Sequence, residues 1–358
     1  MSERGETDPV TSPADFLAAF RDQACELGFI AVGVAPAIES HGFSQLARWI
    51  EAGYAGEMDY IANRLDAYQH PSGVLEGCRS VIAMAYPYDA APPRSVVSGV
   101  GRVARYAWQG ADYHDVIHPK LKQLAKSIRE SFPGATARGV VDTAPIMERE
   151  IAQLAGLGWQ GKNTLLLNKR LGSYFFLACV LTDVELPTDT PHESSHCGTC
   201  TACLDACPTQ AFPQAGVLDA TRCISYLTIE SRSEIADDLR ESMGDWAFGC
   251  DVCQEVCPWN RKPMRQYEAE APAHQPLDVL ELRSLFSLDE AGFRERYRKT
   301  PLWRTRRRGV LRNAALVLGN QRDPASLPAL RIGLADEDAL VREASQWAVD
   351  QIQRDSLG

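Results

Sequence analysis

Apolar residues recur along the first half of the chain in two alternating rhythms. Between Ala14 and Gly28 they fall at Phe16, Leu17, Phe20, Ala24 and Leu27, the spacing of a helix with one buried face. Ser12-Pro13 supplies a cap and a first helical position. Phe29 to Val34 is a short continuous apolar run that predicts a strand, and Ser80 to Tyr86, closed by Pro87, predicts a second. Asp112 to Ser131 carries Leu121, Leu124 and Ile128 at helical intervals. Ala137 to Val141 predicts a strand ending at Asp142, Ile146 to Leu157 a helix stopped by Gly158, and Ser173 to Leu181 a buried strand. Strands alternating with helices predict an α/β domain.

The pattern then changes twice. Leu186 to His196 is rich in proline and polar residues and reads as a linker into a cysteine-rich region that ends near Pro263. Beyond it, Arg304 to Leu318 and Asp338 to Ile352 predict amphipathic helices, and Asp323-Pro324 leads a third through Leu330. A helix ending Leu318-Gly319-Asn320, then Asp-Pro, then a helix carrying Val341, Arg342 and Ala344, resembles a HEAT-type helical repeat. One unit is too short for a free solenoid, so it is expected to pack as a small module on the body.

Composition narrows the class. At 358 residues with 45% hydrophobic residues, the chain is an ordinary globular protein of two or three domains. No apolar run approaches the roughly 18 residues that span a bilayer. Residues 1–13 are polar, without an apolar signal-peptide core, and are expected to be a disordered tail in a cytoplasmic protein with no membrane association. The net charge of −10 excludes a wholly basic nucleic-acid binder. It hides a local reversal: Arg294, Arg296, Arg298, Lys299, Arg304, Arg306, Arg307, Arg308 and Arg312 crowd together with Tyr297 and Trp303 interleaved. Glu295 is the main acid nearby in sequence, so a polyanion-facing surface is expected rather than a solvated or internally paired face.

The cysteines carry the chemistry. Eight of the eleven lie in Cys197-x2-Cys200-x2-Cys203-x3-Cys207-Pro208, in Cys250-x2-Cys253-x3-Cys257-Pro258, and at Cys223 between them. These gaps are those of cubane iron–sulfur runs, in which the fourth cysteine ligates the other cluster. Cys197, Cys200, Cys203 and Cys257 are therefore expected to hold one [4Fe–4S] cluster, and Cys207, Cys223, Cys250 and Cys253 the other. Zinc sites usually come as separated Cys-x2-Cys pairs, and disulfides need an oxidising compartment. Such a chain moves single electrons. The remaining Cys25, Cys78 and Cys179 stand in apolar contexts and are expected in the core.

Electrons need an acceptor. No Gly-x-Gly-x-x-Gly follows the early strands and no P-loop is present. Asp112-Tyr113-His114 approaches the corrinoid signature Asp-x-His-x-x-Gly but lacks its glycine, so a corrinoid held by that histidine loop is not expected. Asp142, in Val140-Val141-Asp142-Thr143-Ala144-Pro145, sits where an α/β strand presents ligands. It is either a proton donor or a helix cap. His114 reads as a structural hydrogen-bonder, and Lys162-Asn163 either meets an anion or closes a turn.

Taken together, Arg105-Tyr106 with Asp112-Tyr113-His114, Val141-Asp142-Thr143-Ala144-Pro145 and Gly156-Leu157-Gly158-Trp159-x-Gly161-Lys162 resemble the epoxyqueuosine reductase (QueG) family. So do Cys223-Ile224-Ser225-Tyr226-Leu227-Thr228-Ile229-Glu230 and Gly249-Cys250-Asp251-x-Cys253-Gln254-x2-Cys257-Pro258-Trp259-Asn260. The resemblance runs from about Phe16 to the C-terminal helices. It implies a nitroreductase-like cobalamin domain of α/β or α+β type over 14–190, a ferredoxin-like two-[4Fe–4S] domain over 191–263 and a HEAT-like tRNA-binding module over 264–358. It also implies reduction of epoxyqueuosine at a tRNA wobble position to queuosine with loss of water. Asp142 would then be the proton donor, with Arg105, Asp142, Ser225, Cys250 and Asp251 lining cobalamin. Arg304, Arg306, Arg307, Arg308 and Arg312 would meet tRNA, an external donor would supply electrons, and the protein would act as a monomer. Where the family often has an arginine shortly before a proline, this chain reads Tyr68-Gln69-His70-Pro71, with Arg64 in the preceding turn. A reductive dehalogenase shares the cofactors but leaves the arginine patch without a task. An electron carrier leaves the α/β domain and Asp142 unexplained.

Overall fold

The computed structural model describes residues 12–88, 95–261 and 277–355. The tail expected over 1–13 lies almost wholly outside these residues, as does the boundary expected at 263. Among the described residues, nine strands form three sheets: β1 (Ala31–Pro36), β2 (Ser80–Pro87), β3 (Val100–Val103), β4 (Ala137–Val140), β5 (Trp159–Gln160), β6 (Leu166–Leu167), β7 (Phe175–Thr182), β8 (Trp246–Phe248) and β9 (Val279–Glu281). The main sheet has the order β1-β2-β7-β4, and every pairing in it is antiparallel. Mixed helix and sheet were expected. Strand direction was not read from the sequence, because hydrophobic period reports burial and not direction.

Each face of the main sheet is covered. On β2, Ile82 and Met84 face the helices Pro13–Glu26 and Tyr113–Ser131, meeting Phe20, Leu121 and Leu124. The alternate residues Val81, Ala83 and Ala85 face the helix Glu148–Leu154, through Ile151 and Ala152. A strand buried on both sides reads as an unbroken apolar run, and β2 does. Ser12 caps the first helix by accepting from the Asp15 N–H at 3.1 Å. The expected linker is tied down at Asp189, which receives both the Arg21 guanidinium and the Val34 N–H of β1. Cys78 and Cys179 are buried as expected, whereas Cys25 is exposed on the outer face of the first helix.

A smaller sheet, in the order β8-β3-β9, was not anticipated, because strands of three or four residues leave no periodicity to read. It takes β3 from the first segment, β8 from the cysteine-rich segment and β9 from the C-terminal segment. One apolar core runs from Val103 through Leu227 and Phe248 to Ile352. Three helices, Arg306–Gln321, Leu327–Leu334 and Ala339–Asp355, close it, with bounds within about three residues of those expected.

Arg312 lies at the centre of this core with 1% of its surface exposed. Its guanidinium donates to the carbonyls of Leu227, Ser231 and Ser233. The adjacent Asn313 amide donates to the carbonyls of Thr228 at 2.8 Å and Ala247 at 3.0 Å. The bonds to Leu227 and Thr228 satisfy C-terminal carbonyls of the short helix Ile224–Ile229, which the helix itself leaves open. Burial pushes the Arg312 guanidinium down to about 10, with Arg232 adding repulsion, so it stays charged at neutral pH. Replacing Arg312 with Met should cost about 3–5 kcal/mol in urea unfolding, because three carbonyls lose their donor in a dry interior. A loss below about 1 kcal/mol would show that water reaches the site.

Candidate active site

β4 ends at Val140, and the chain turns sharply two residues later. Asp142 has φ of 58°, in the left-handed region, and the Thr143 N–H donates to the Val141 carbonyl across it at 2.6 Å. A non-glycine residue held there costs roughly 1–3 kcal/mol and marks functional loops. The turn leaves the Asp142 side chain 59% exposed. It does not cap the following helix, which begins at Glu148 behind Met147 with no side-chain cap. Instead the Tyr113 hydroxyl donates to Asp142 Oδ2 at 2.7 Å, and His114 Nε2 lies 3.9 Å from the same oxygen. Burial, followed by the Asp142 charge, pushes the Tyr113 phenol far up, so it remains a donor. Its ring stacks on Phe176 at 4.3 Å, which holds the hydroxyl in place. His114 Nδ1 is bound to Asp112, the cap of its helix.

Asp142 opens onto a cavity of about 490 Å³. Tyr106, Phe176 and Glu148 belong to the wall, and Cys223, Ser225, Cys250, Asp251 and Cys253 line the same space. An exposed acid and three thiols of one expected cluster set thus share one chamber. Arg105 is not in that wall. Its guanidinium is buried against Tyr174 at 3.2 Å and Glu255 at 3.1 Å, and its N–H donates to Asp251 Oδ2 at 2.7 Å. Burial raises the Asp251 carboxyl to about 6 against the pull of Arg105. Sequence reasoning missed Glu148, whose carboxyl is pushed up to about 8 by burial and then by Asp142. Tyr68 is also close enough to feel Glu148, Arg64 and Asp142, so the departing Tyr68 segment borders the site. His70 instead caps a turn, accepting from the Ser72 N–H.

The thiols sort by mutual influence. Burial raises Cys203, and Cys197, Cys257 and Cys200 raise it further. Burial likewise raises Cys250, followed by Cys223, Asp251 and Cys207. Cys253 follows suit through burial, Cys250, Cys223 and Asp251, and Cys203 of the first run adds to it. Packing thiolates so closely is unfavourable until a multivalent metal core compensates the charge, which suits iron–sulfur ligation. Gly249 (φ 67°) precedes Cys250 and lets the chain pass Ala104, whose Cβ would lie 2.5 Å from an added Cβ. Lys162 Nζ donates to the carbonyls of Gly198 and Cys200 at 2.8 and 2.9 Å, and the Asn163 amide to Cys253 at 3.3 Å. The Lys162-Asn163 turn therefore fastens both cysteine loops to the first domain.

Comparison with known proteins agrees with this arrangement. The family model described as Epoxyqueuosine reductase QueG, DUF1730 matches residues 69–143, and that of the 4Fe-4S double cluster binding domain matches residues 196–260. The epoxyqueuosine reductase of Pseudomonas aeruginosa is 42% identical over 346 residues, 94% of each chain. That of Escherichia coli K12 is 39% identical over 335 residues, 92% of this chain and 88% of that one. The chain belongs to the epoxyqueuosine reductase family. A solved epoxyqueuosine reductase, in complex with an epoxyqueuosine-modified tRNA-Tyr stem loop, superposes with a TM-score of 0.86 at 29% identity, over 95% of this chain and 91% of that one. Members are oxidoreductases of tRNA modification, and the double-cluster domain gives this chain two [4Fe–4S] clusters.

The arginines expected to meet RNA divide in two. Arg304, Arg306 and Arg308 are exposed. Arg304 pairs with Glu230, Arg306 lies 4.1 Å over the Trp303 ring, and Arg308 is 3.9 Å from Asp338. Arg307 is buried in a two-toothed pair with Asp336, and Arg312 is spent on backbone carbonyls. Neither of these two reaches a phosphate, so the expectation is corrected for both. The acids that pair with the stretch come from distant segments, which local sequence did not reveal. Among the described residues no helix is long and apolar enough to cross a membrane. Replacing Lys162 with Met should lower the midpoint potential of the cluster expected on Cys197, Cys200, Cys203 and Cys257 by roughly 50 mV, about a tenfold change in a one-electron equilibrium. An EPR-monitored redox titration reads this. An unchanged potential would confine Lys162 to holding the loop.

Proposed function

We propose that this chain reduces epoxyqueuosine at the wobble position of a tRNA anticodon to queuosine, with loss of water, inside the chamber shared by Asp142 and the second cysteine set. The observation that carries it is that shared wall: Asp142 and the thiols of Cys223, Cys250 and Cys253 line one cavity of about 490 Å³. The chamber has apolar and aromatic walls with a few polar groups, as cofactor sites do. Ser225, Cys250, Asp251 and Tyr106 line it and would hold cobalamin. When bound, reduced cobalamin supplies the nucleophilic or radical chemistry that opens an epoxide. Arg105 acts one step back, fixing Asp251.

The chain's own residues do the rest. Asp142 gives a proton to the epoxide oxygen, held in place by Tyr113. Clusters built on Cys197, Cys200, Cys203 and Cys257, and on Cys207, Cys223, Cys250 and Cys253, relay electrons from an external donor, the second lying against the chamber. A wobble nucleotide must leave its stack to enter. Arg304, Arg306 and Arg308, with the basic cavity formed by Arg294, Arg296, Arg298 and Lys299, supply phosphate contacts at its edge. The Lys299 carbonyl accepts from the Asp112 N–H at 2.9 Å, so this basic stretch adjoins the helix that carries Tyr113. The parts are a nitroreductase-like domain, a ferredoxin-like pair of clusters and a HEAT-like module, in a monomeric cytoplasmic enzyme.

Anaerobically reconstituted protein should bind about one cobalamin and convert epoxyqueuosine in an anticodon stem loop, read by nucleoside mass analysis. Asp142→Asn should cut turnover by at least about 100-fold with clusters and cobalamin retained; full activity would leave Asp142 a loop residue. Arg306→Glu with Arg308→Glu should weaken stem-loop binding and flatten its salt dependence by about two units of slope. The same affinity in the double variant would remove these residues from the RNA surface.

A further inference from the structure

We infer that Glu148 is the second proton donor of this site, delivering its proton to the oxygen as it leaves as water. The inference deepens the reductase function proposed above and rests on it. Removing an epoxide oxygen as water consumes two electrons and two protons. The first C–O bond breaks as the electron pair arrives, and the alkoxide takes the Asp142 proton. The second C–O bond breaks as the carbon–carbon double bond forms, and the departing hydroxide needs one more proton. Asp142 carries only one.

Glu148 lines the same cavity as Asp142, six residues further on, at the first position of the helix Glu148–Leu154. It is partly buried. Among the described residues, no side-chain hydrogen bond or ion pair to another residue ties it down; its own backbone N–H is the donor that favours the ionised form. The groups around it come from every neighbouring element. Asp142 on the preceding turn disfavours its charge, and Arg149 on its own helix favours it. Arg149 is exposed and donates to the Thr164 carbonyl at 2.7 Å. Tyr68 from the segment before β2 and Cys179 from β7 complete the surroundings, and both are held neutral by burial. Burial, with Asp142 adding to it and the backbone N–H opposing it, raises the Glu148 carboxyl to about 8, so it keeps its proton at neutral pH. Hydroxide is far more basic than such a carboxyl, so transfer runs downhill, and a donor poised near the working pH is reprotonated between turnovers.

The test uses reconstituted holoenzyme with the modified stem loop, comparing the wild type with Glu148→Gln and Glu148→Asp in single turnovers from neutral to alkaline pH. A donor acts in its protonated form, so the wild-type rate should fall as pH rises through about 8. Glu148→Gln should be slower by about 100-fold at neutral pH and should lack that alkaline limb, while Glu148→Asp should recover part of the rate and the limb. Infrared difference spectra of protein without substrate should show a protonated carboxyl band that titrates over the same range and is absent from Glu148→Gln. A Glu148→Gln enzyme with the wild-type rate and limb would overturn the assignment, as would a carboxyl already ionised at neutral pH. Failure of the wild type to convert epoxyqueuosine would instead overturn the reductase function. The infrared titration separates the two, because it needs neither substrate nor turnover.

Discussion

A single buried guanidinium sets the geometry of the reaction chamber. Arg312 and its neighbour Asn313 gather the backbone carbonyls of Leu227, Thr228, Ser231, Ser233 and Ala247. Those carbonyls belong to the end of the helix that starts behind Cys223, to the turn after it, and to β8, which leads into Gly249-Cys250. A charge in a dry interior is tolerated only when its donors are met. Here the donors are met by chain segments that must therefore lie at one distance from one another. Thr305 adds a hydroxyl to the same helix end, and the Thr228 hydroxyl accepts from the Gly249 N–H. The positions of Cys223, Ser225 and Cys250 follow from this network.

The chamber also depends on a joint between segments. Lys162 and Asn163 hold the first and second cysteine loops by their carbonyls. The β8-β3-β9 sheet stitches together strands that are far apart in the chain. The acid side of the chamber rests on the main sheet, at the strained turn after β4, and the thiol side rests on the Arg312 core. The proposed proton-coupled reduction requires an acid and an electron source at a fixed separation, and the two anchors hold Asp142 and the thiols in that way.

Much of this was legible from local pattern. The helix behind Ser12, the buried run of β2, the strand before Asp142 and both long C-terminal helices fall where the hydrophobic periods put them, because burial on one or two faces is written in residue spacing. The eight thiols were legible as iron–sulfur ligands from their gaps, since short loops leave few ways to close around a cubane. Strand direction in the main sheet was not legible, and neither were β3, β8 and β9, which are too short to show a period. Cys25 was misplaced because an apolar neighbourhood in sequence can still face outward on a helix.

The sequence by itself determined the chemistry: eight thiols in ferredoxin spacing, an aspartate at a strand end, and a run of arginines. Spacing along the chain decides such things, because metal ligation and local turns are short-range. Only the tertiary structure decided which groups work together. It withdrew Arg307 and Arg312 from the surface by bringing Asp336 and a set of carbonyls to them. It turned Arg105 inward to Asp251 and placed Glu148 beside Asp142. Burial and long-range charge made those assignments, and neither is visible until the chain has folded.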